Sequence, residues 1–207
     1  MATDRPDEQP HVAADLPDWD TIYERQLQRA DLAREWLDAL ALRPGERVLD
    51  AGCGTGYVSL EAARRVGPAG RVYAVDSSAE ALAYLGRLQD EQGIAWIERI
   101  VADAAALPAL PGDADAALVT LVLHHADDPA GLLRNVARLL PDGARVAVAE
   151  FHPDGPCEVG APRERRLPPE RVRGWCEAAG FDRLAYRRQS PEHYFLIMYV
   201  HHGGGLG

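Results

Sequence analysis

Residues 48–56 read Val48-Leu49-Asp50-Ala51-Gly52-Cys53-Gly54-Thr55-Gly56, and this stretch decides the fold. It begins in a short apolar strand, Arg47 to Asp50, and ends in a turn with three glycines that leads into a helix predicted from Tyr57 to Val66. Alternate glycines let the backbone bend sharply and approach a ligand closely, and a helix N-terminus offers unpaired N–H groups. The stretch therefore predicts a strand–turn–helix unit with a ligand-binding turn.

Strand-like and helix-like segments alternate along the rest of the chain. The run Ala116 to Leu123 is apolar on both faces, which is typical of a strand covered by helices on both sides of a parallel sheet. Two last strands, Phe181 to Arg188 and His193 to Val200, are separated by a short polar turn and predict a hairpin. We therefore predict an α/β fold: a Rossmann-like, doubly wound sheet of seven strands, mostly parallel with an antiparallel last strand, and helices on both faces. The other strands are predicted at 47–50, 71–75, 96–101 and 144–151, and the helices after the first strand at 57–66, 78–91, 129–140 and 169–179.

One domain accounts for this pattern. It is predicted to span residues 18–200, and its first part, 18–41, is an amphipathic helix or pair of helices that ends before Pro44-Gly45. Residues 1–17 show no periodicity and are expected to be a flexible arm. The tail 201–207 has no core-forming content and is expected to be disordered.

The composition excludes several classes of protein. Of 207 residues, 47% are hydrophobic and 26% charged, as in a globular domain, and no apolar run approaches the roughly 20 residues of a membrane span. The formal net charge of −10 opposes nucleic-acid binding. The N-terminus shows no targeting segment, and the three cysteines form no CxxC pair. We expect a cytoplasmic protein with reduced thiols and with neither a nucleic-acid nor a membrane partner; the oligomeric state is left open.

The spacing of the glycines in the turn distinguishes between two kinds of nucleotide-binding motif. A dinucleotide fingerprint, GxGxxG, requires a third glycine at position 57, where this chain has Tyr57. The GxGxG form that follows Asp50 instead resembles motif I of the class I S-adenosylmethionine-dependent methyltransferases. Two acidic residues strengthen the resemblance, because Asp76 ends the second strand, 24 residues after Gly52, and Asp103 follows the third strand.

The resemblance implies S-adenosylmethionine as the cofactor. Asp76 is then placed to accept hydrogen bonds from the ribose hydroxyls, and Asp103 to accept one from the adenine amine. Cys53 is expected to pack rather than to react. The predicted cofactor-binding residues are Asp50, Gly52, Cys53, Gly54, Gly56, Asp76, Ser77, Asp103 and Ala104.

Methyl transfer needs geometry more than catalytic groups, because the sulfonium methyl is already activated. Histidines nonetheless follow the fourth and fifth strands, and we predict that His125 or His152 removes a proton from the acceptor as general base. Gly180-Phe181, after the last helix, is similar to the small stand-alone methyltransferases of the ubiquinone and menaquinone biosynthesis group. This resemblance does not identify a substrate. A small-molecule methyl acceptor is expected because the acidic charge disfavours a nucleic acid and the chain of 207 residues is compact. The helices of residues 18–41 are expected to cover the active site.

Other chemistries fit the sequence less well. Histidines and acids between residues 124 and 152 lie near two strand ends, but they lack a short metal-binding spacing such as HExxH, so no metal site is predicted. Cys157 and Cys176 are too few for the metalloid capture of the arsenite methyltransferases, whose core is also similar. Two alternatives stay open: a regulatory protein that binds S-adenosylmethionine or S-adenosylhomocysteine without methyl transfer, and a nicotinamide-dependent oxidoreductase, which Tyr57 disfavours.

Overall fold

A computed structural model describes residues 18–203. The predicted arm, 1–17, and the end of the predicted tail, 204–207, lie outside the described residues. No helix within residues 18–203 is both long enough and apolar enough to cross a membrane. The strands are β1 (Arg47–Ala51), β2 (Arg71–Asp76), β3 (Ile97–Val101), β4 (Ala116–Thr120), β5 (Arg145–Phe151), β6 (Phe181–Arg188) and β7 (His193–Val200). The helices are α1 (Trp19–Leu27), α2 (Ala30–Leu40), α3 (Tyr57–Val66), α4 (Ala79–Gln92), α5 (Pro129–Leu139) and α6 (Pro169–Ala178).

The strands form one seven-stranded sheet in the order β3-β2-β1-β4-β5-β7-β6. Strands β1 to β5 pair in parallel, and β7 runs antiparallel to both β5 and β6. The predicted mixed sheet with an antiparallel last strand is therefore confirmed. The strand order reverses between β1 and β4, and open α/β sheets bind ligands at the carboxyl ends of the strands at such a point.

Each face of the sheet carries its own apolar core. On β1, Val48 belongs to the core formed with α2, α3 and α4, while the next residue, Leu49, belongs to the core formed with α5 and α6. Successive strand residues point to opposite faces, so a strand covered on both sides is apolar at every position. This accounts for the unbroken apolar pattern of β4, whose residues 116–119 are fully buried.

Strand β4 ends earlier than the sequence predicts. It stops at Thr120, and Leu121 takes a left-handed conformation with a φ of +54°. The N–H of Leu121 still donates to the carbonyl of Ala149 in β5, at 2.8 Å, and one turn of 3-10 helix follows at Leu123–His125. Because the Leu123 side chain is buried after the strand has ended, the apolar pattern extends past the strand. The turn places two histidines at the carboxyl edge of the sheet.

Residues 18–41, predicted as one helix or two, form α1 and α2 with a break at Gln28–Arg29. Helix α2 buries four residues, among them Trp36, whose Nε1–H donates to Oε1 of Gln189 at 2.8 Å. Helix α1 buries none. Helix α2 therefore contributes to the core, whereas α1 contributes no buried residue to it.

The predicted tail begins with two residues that are bonded to the domain. The N–H of His201 donates to the carbonyl of Gly180 at 2.7 Å, and the N–H of His202 donates to Oδ1 of Asp142 at 2.9 Å. The structure thus places these two residues against the domain, although the sequence predicts disorder from residue 201.

Candidate active site

A cleft of about 870 Å³ opens at the carboxyl ends of β1, β2, β4 and β5. This volume lies within the range of small-molecule sites, roughly 300 to 1,000 Å³. Residues of α1 and α2 line one side of the cleft, and the segment 160–165 contributes to another. Four of the predicted cofactor residues line it: Gly52, Gly54, Asp76 and Ser77.

The glycine turn lies at the end of the cleft nearest β1. Gly52, Gly54 and Gly56 have φ values of +78°, +56° and +84°, which residues with side chains rarely adopt. A Cβ atom on Gly52 would also overlap the side chain of Val122, which follows β4. The N–H of Gly52 donates to the carbonyl of Val75 at 2.8 Å, which ties the turn to β2. Both the backbone and the packing therefore require glycine at position 52.

Asp76, the last residue of β2, holds the turn and lines the cleft. Its Oδ2 accepts a hydrogen bond from the N–H of Gly54 at 2.8 Å, and its Oδ1 accepts one from the N–H of Ser78 at 2.9 Å. Each carboxylate oxygen has a second acceptor site, so Asp76 can also accept hydrogen bonds from ligand hydroxyls. Ser77 is exposed beside it.

Asp50, near the end of β1, joins that strand to α3 and is not among the described residues that line the cleft. Its Oδ2 accepts from the hydroxyl of Ser59 at 2.6 Å, and its buried Oδ1 has no hydrogen-bond partner among residues 18–203. Burial raises the pKa of Asp50 to about 7, and nearby Asp76 raises it too, whereas the bond from Ser59 lowers it. Cys53 is also buried, and burial raises the pKa of its thiol, which makes it a poor nucleophile.

Two further predicted cofactor residues, Asp103 and Ala104, are not among the described residues that line the cleft. Asp103 is exposed after β3, and its Oδ1 accepts from the N–H of Ala105 at 2.8 Å. Ala104 is buried in the core beneath α5. Neither is among the described residues that line the cleft, so their contact with the cofactor stays a prediction.

Of the two predicted bases, His125 reaches the cleft and His152 does not. His125 lines the cleft at the end of the 3-10 turn. Partial burial lowers its pKa, and so does His124, whose ring centroid lies 4.1 Å away. His152 is buried, and its Nδ1 accepts from the N–H of Asp154 at 3.1 Å. Its neighbour Phe151 lines the cleft instead.

His124 also lines the cleft and forms a buried pair with Glu150. Its Nδ1 lies 2.8 Å from Oε2 of Glu150, and its N–H donates to Oε1 of the same carboxylate at 3.3 Å. The N–H of Phe151 donates to Oε2 of Glu150 at 3.2 Å. One carboxylate thus joins the ends of β4 and β5 below the cleft.

The structure adds residues that sequence reasoning missed, and Gln26 of α1 is one of them. Its Oε1 accepts from the hydroxyl of Thr55 at 2.8 Å and from the N–H of Tyr57 at 3.1 Å. The first residue before α3 is Gly56, which has no capping side chain, so Gln26 satisfies an N–H of α3 that would lack a partner. A glycine at this position signals the need for a cap, but the sequence does not say which distant residue provides it.

The residues present fit S-adenosylmethionine. Gly52 has no room for a side chain and Gly54 has a left-handed backbone, which lets a ligand approach the backbone of the turn, and Asp76 keeps free acceptor sites for ribose hydroxyls. Among residues 18–203, no group of three or more His, Cys, Asp or Glu side chains is placed to hold a metal ion.

Two curated relatives share about a third of their aligned residues with the chain. It is 33% identical over 141 residues to a 2-phytyl-1,4-naphtoquinone methyltransferase of Trichormus variabilis, which is 66% of this chain and 58% of that protein. It is 34% identical over 153 residues to a tRNA (guanine(6)-N2)-methyltransferase of Thermus thermophilus, which is 67% of this chain and 42% of that protein. The chain thus spans about half the length of these relatives.

A solved structure shares the fold. A SAM dependent methyltransferase from Aquifex aeolicus superposes with a TM-score of 0.78 and 21% identity, over 89% of this chain and 100% of that chain. The sequence profile of a family described as a methyltransferase domain matches residues 42–195, which include the glycine turn and Asp76. The chain therefore belongs to the methyltransferase domain family, within the S-adenosylmethionine-dependent class that its motifs resemble.

Proposed function

We propose that this chain transfers a methyl group from S-adenosylmethionine to a nucleophilic atom of a small molecule. The observation that carries the proposal is that one cleft joins the family's glycine turn and Asp76 to the histidines and Phe151 at the ends of β4 and β5. Two ligands bound side by side are held in reacting geometry, and this can supply much of the rate acceleration.

The cofactor side of the cleft would be formed by Gly52, Gly54, Asp76 and Ser77. S-adenosylmethionine, when bound, supplies a methyl group whose bond to sulfur breaks with its electron pair on sulfur, as a lone pair of the acceptor forms the new bond. Asp76 would orient the ribose, and Gln26 and Asp76 would keep the turn in its present shape. The chain's contribution is therefore mainly to position the two ligands and to exclude water.

His125 is the proposed general base. Partial burial and His124 lower the pKa of His125, which favours the neutral imidazole, and a neutral imidazole can take the proton that a hydroxyl or ammonium acceptor loses. Glu150 accepts the N–H of His124 and so holds the start of the 3-10 turn that carries His125. His152 lies outside the cleft and is the weaker candidate.

The net charge of the chain and the extent of its similarity to relatives favour a small acceptor over a nucleic acid. The net charge of −10 would repel a phosphate backbone. The similarity to the tRNA methyltransferase covers 42% of that protein and does not extend to the rest of it. The quinone methyltransferase, whose name describes a small acceptor, matches over 58% of its length.

The proposal is tested by incubating the protein with S-adenosylmethionine and a panel of phenols, quinols, amines and carboxylates. Mass spectrometry should detect S-adenosylhomocysteine together with a product heavier by one methylene group. The His125→Gln variant should slow a hydroxyl acceptor by about a hundredfold with unchanged S-adenosylhomocysteine affinity. Tight binding of S-adenosylmethionine without product from any acceptor would favour the non-catalytic alternative.

A further inference from the structure

The cleft contains a guanidinium group that has no carboxylate partner among residues 18–203. Arg29, at the start of α2, is partly buried and lines the cleft. Its side chain makes no hydrogen bond or ion pair with any residue in the range 18–203, although the protein has 32 acidic residues against 22 basic ones. A charge withdrawn from water without a counter-charge is unfavourable, so such a group in a cleft marks a place for an anion.

A second arginine, Arg166, lies on the same Phe151 ring as Arg29 and provides a comparison, because its guanidinium is paired with a carboxylate. The Cζ atoms of Arg29 and Arg166 lie 5.4 and 5.3 Å from the centroid of Phe151. Arg166 is buried, forms an ion pair with Glu192, and donates to the carbonyls of Ala161 and Val159, each at 2.8 Å. Arg166 therefore has its hydrogen-bond and ion-pair partners within the fold, whereas Arg29 has the ring of Phe151 but no ion pair in the described part of the chain.

The charges around Arg29 do not neutralise it. The charged residues that line the cleft are Arg25, Arg29, Arg165, Asp76 and Glu164. Asp76 is already bonded to two backbone N–H groups, and Glu164 is exposed and makes no ion pair within the described part of the chain. Burial lowers the pKa of Arg29, and the positive charge of Arg25 lowers it further.

Arg29 lies on the acceptor side of the cleft. Its ring partner, Phe151, ends β5, whereas the glycine turn follows β1 and Asp76 ends β2. Strand β4 separates β1 from β5, and strands in a sheet are about 4.8 Å apart, so the two positions differ by roughly 10 Å. The side chain that lies on the glycine turn is Gln26. Apolar groups stand beside Arg29, since Ala33 and Trp36 also line the cleft.

We propose that the methyl acceptor carries a carboxylate that Arg29 binds, beside an apolar body that contacts Phe151 and Trp36. The planar guanidinium group can donate two parallel hydrogen bonds to a carboxylate. Exposed Arg165, on the segment 160–165, also lines the cleft and adds to the positive field. This inference rests on the proposed function, because it names the class of acceptor for that site.

The first experiment measures binding and needs no turnover. The protein, saturated with S-adenosylhomocysteine, is titrated with benzoate, phenylacetate, 3-phenylpropanoate and hexanoate, and with the amide of each acid, which matches its shape without the charge. At least one acid should bind about tenfold tighter than its amide. The preference should disappear in Arg29→Gln, fall partway in Arg29→Lys, and persist in Arg34→Gln, an exposed charge-matched control on α2 whose guanidinium pairs with Asp31.

The second experiment separates the acceptor's carboxylate from that of the cofactor. S-adenosylhomocysteine carries an amino-acid carboxylate, and 5′-methylthioadenosine lacks it. If Arg29 serves the acceptor, Arg29→Gln should change the affinities of both nucleosides by less than about twofold. Circular dichroism and the melting temperature should confirm that each variant is folded.

Two results would overturn the inference. One is an equal affinity of every acid and its amide, or a preference that survives in Arg29→Gln. The other is a selective loss of S-adenosylhomocysteine affinity, with 5′-methylthioadenosine unaffected, which would assign Arg29 to the cofactor. Absence of methyl transfer with an intact acid preference would instead contradict only the proposed function.

Discussion

The Nδ1 atom of His124 lies 2.8 Å from Oε2 of Glu150, and both side chains are buried. Glu150 also accepts the backbone N–H groups of His124 and Phe151, so one carboxylate makes three contacts at the ends of two neighbouring strands. The pair therefore sets the position of the 3-10 turn that carries His125.

Replacement of Glu150 should destabilise the protein. Hydrogen bonds to a charged group are each worth about 1.5 to 3 kcal/mol, and Glu150→Gln keeps the shape but weakens them. We expect a loss of about 2 to 3 kcal/mol in the free energy of unfolding, measured in urea, together with slower methyl transfer. The control is Glu177→Gln, an exposed residue of α6 paired with Arg173, whose effect should stay below about 0.5 kcal/mol. Equal effects of the two changes would contradict the role given to Glu150.

Replacement of Gly52 by alanine should cost more than its backbone conformation alone explains. Gly45 provides the comparison, because it has a similar φ of +89° but no atom within 4 Å of an added Cβ. Gly45→Ala should therefore show only the cost of the left-handed backbone, about 1 to 2 kcal/mol. Gly52→Ala adds the overlap with Val122 and should cost clearly more and abolish S-adenosylhomocysteine binding in calorimetry. Matching losses in both variants would show that the turn has room for a side chain.

Replacement of Asp76 should weaken cofactor binding directly and through the turn. Asp76→Ala removes two acceptor oxygens for ligand hydroxyls and leaves the N–H groups of Gly54 and Ser78 without their acceptor. We expect at least a tenfold loss in S-adenosylhomocysteine affinity, because a single charge-assisted hydrogen bond is worth about 1.5 to 3 kcal/mol. Asp113→Ala, which removes an exposed carboxylate away from the cleft, should bind normally. A loss below about threefold in Asp76→Ala would rule out the ribose contact.

The stability of the protein should depend on the protonation of His193. This residue is buried against Phe151, with ring centroids 4.9 Å apart, and its Nδ1 lies 3.0 Å from the hydroxyl of Ser190. Burial, together with the positive charge of Arg29, lowers its pKa to about 4. A depressed histidine pKa means that the folded state binds the proton less well than the unfolded chain. The stabilising contribution is therefore complete above pH 6.5 and is lost as the pH falls from 6.5 towards 4.

Unfolding in urea at pH 7.5 and pH 4.5 measures this contribution. The wild type should lose about 2 to 3 kcal/mol more than His193→Gln between the two pH values, because a shift of one pKa unit corresponds to about 1.4 kcal/mol. Other titrating groups are shared by both proteins and cancel in the difference. The raised pKa of Asp50 has the opposite sign, favouring the folded state at low pH, and is among these shared groups. Parallel pH profiles would show that His193 binds its proton equally well in the folded and unfolded states.

The segment before α6 should depend on Arg166. This guanidinium donates to the carbonyls of Val159 and Ala161 and pairs with Glu192, next to residues 160–165 of the cleft. Arg166→Leu leaves Glu192 without its cation and should destabilise the protein by about 3 kcal/mol or more. Limited proteolysis should then cut within residues 153–166 before it cuts elsewhere. Arg173→Leu, at an exposed site on α6, should keep the wild-type cleavage pattern.

The sequence alone determined the sheet, the glycine turn and the place of Asp76. These depend on short stretches, because alternation, glycine spacing and strand ends are properties of residues close together in the chain. The strand predicted for β4 is too long, because the buried Leu123 continues its apolar pattern beyond Leu121, where the backbone turns.

Only the tertiary structure decided which side chains meet in the cleft. Phe151 rather than His152 faces it, Gln26 caps a helix that begins 31 residues later, and Arg29 lies on an aromatic ring with no ion pair among residues 18–203. Each of these contacts joins segments distant in sequence, and none leaves a local pattern. Their energies come from burial and from the pairing of charges, which are set by the packing of the whole domain and not by the residues beside them in the chain.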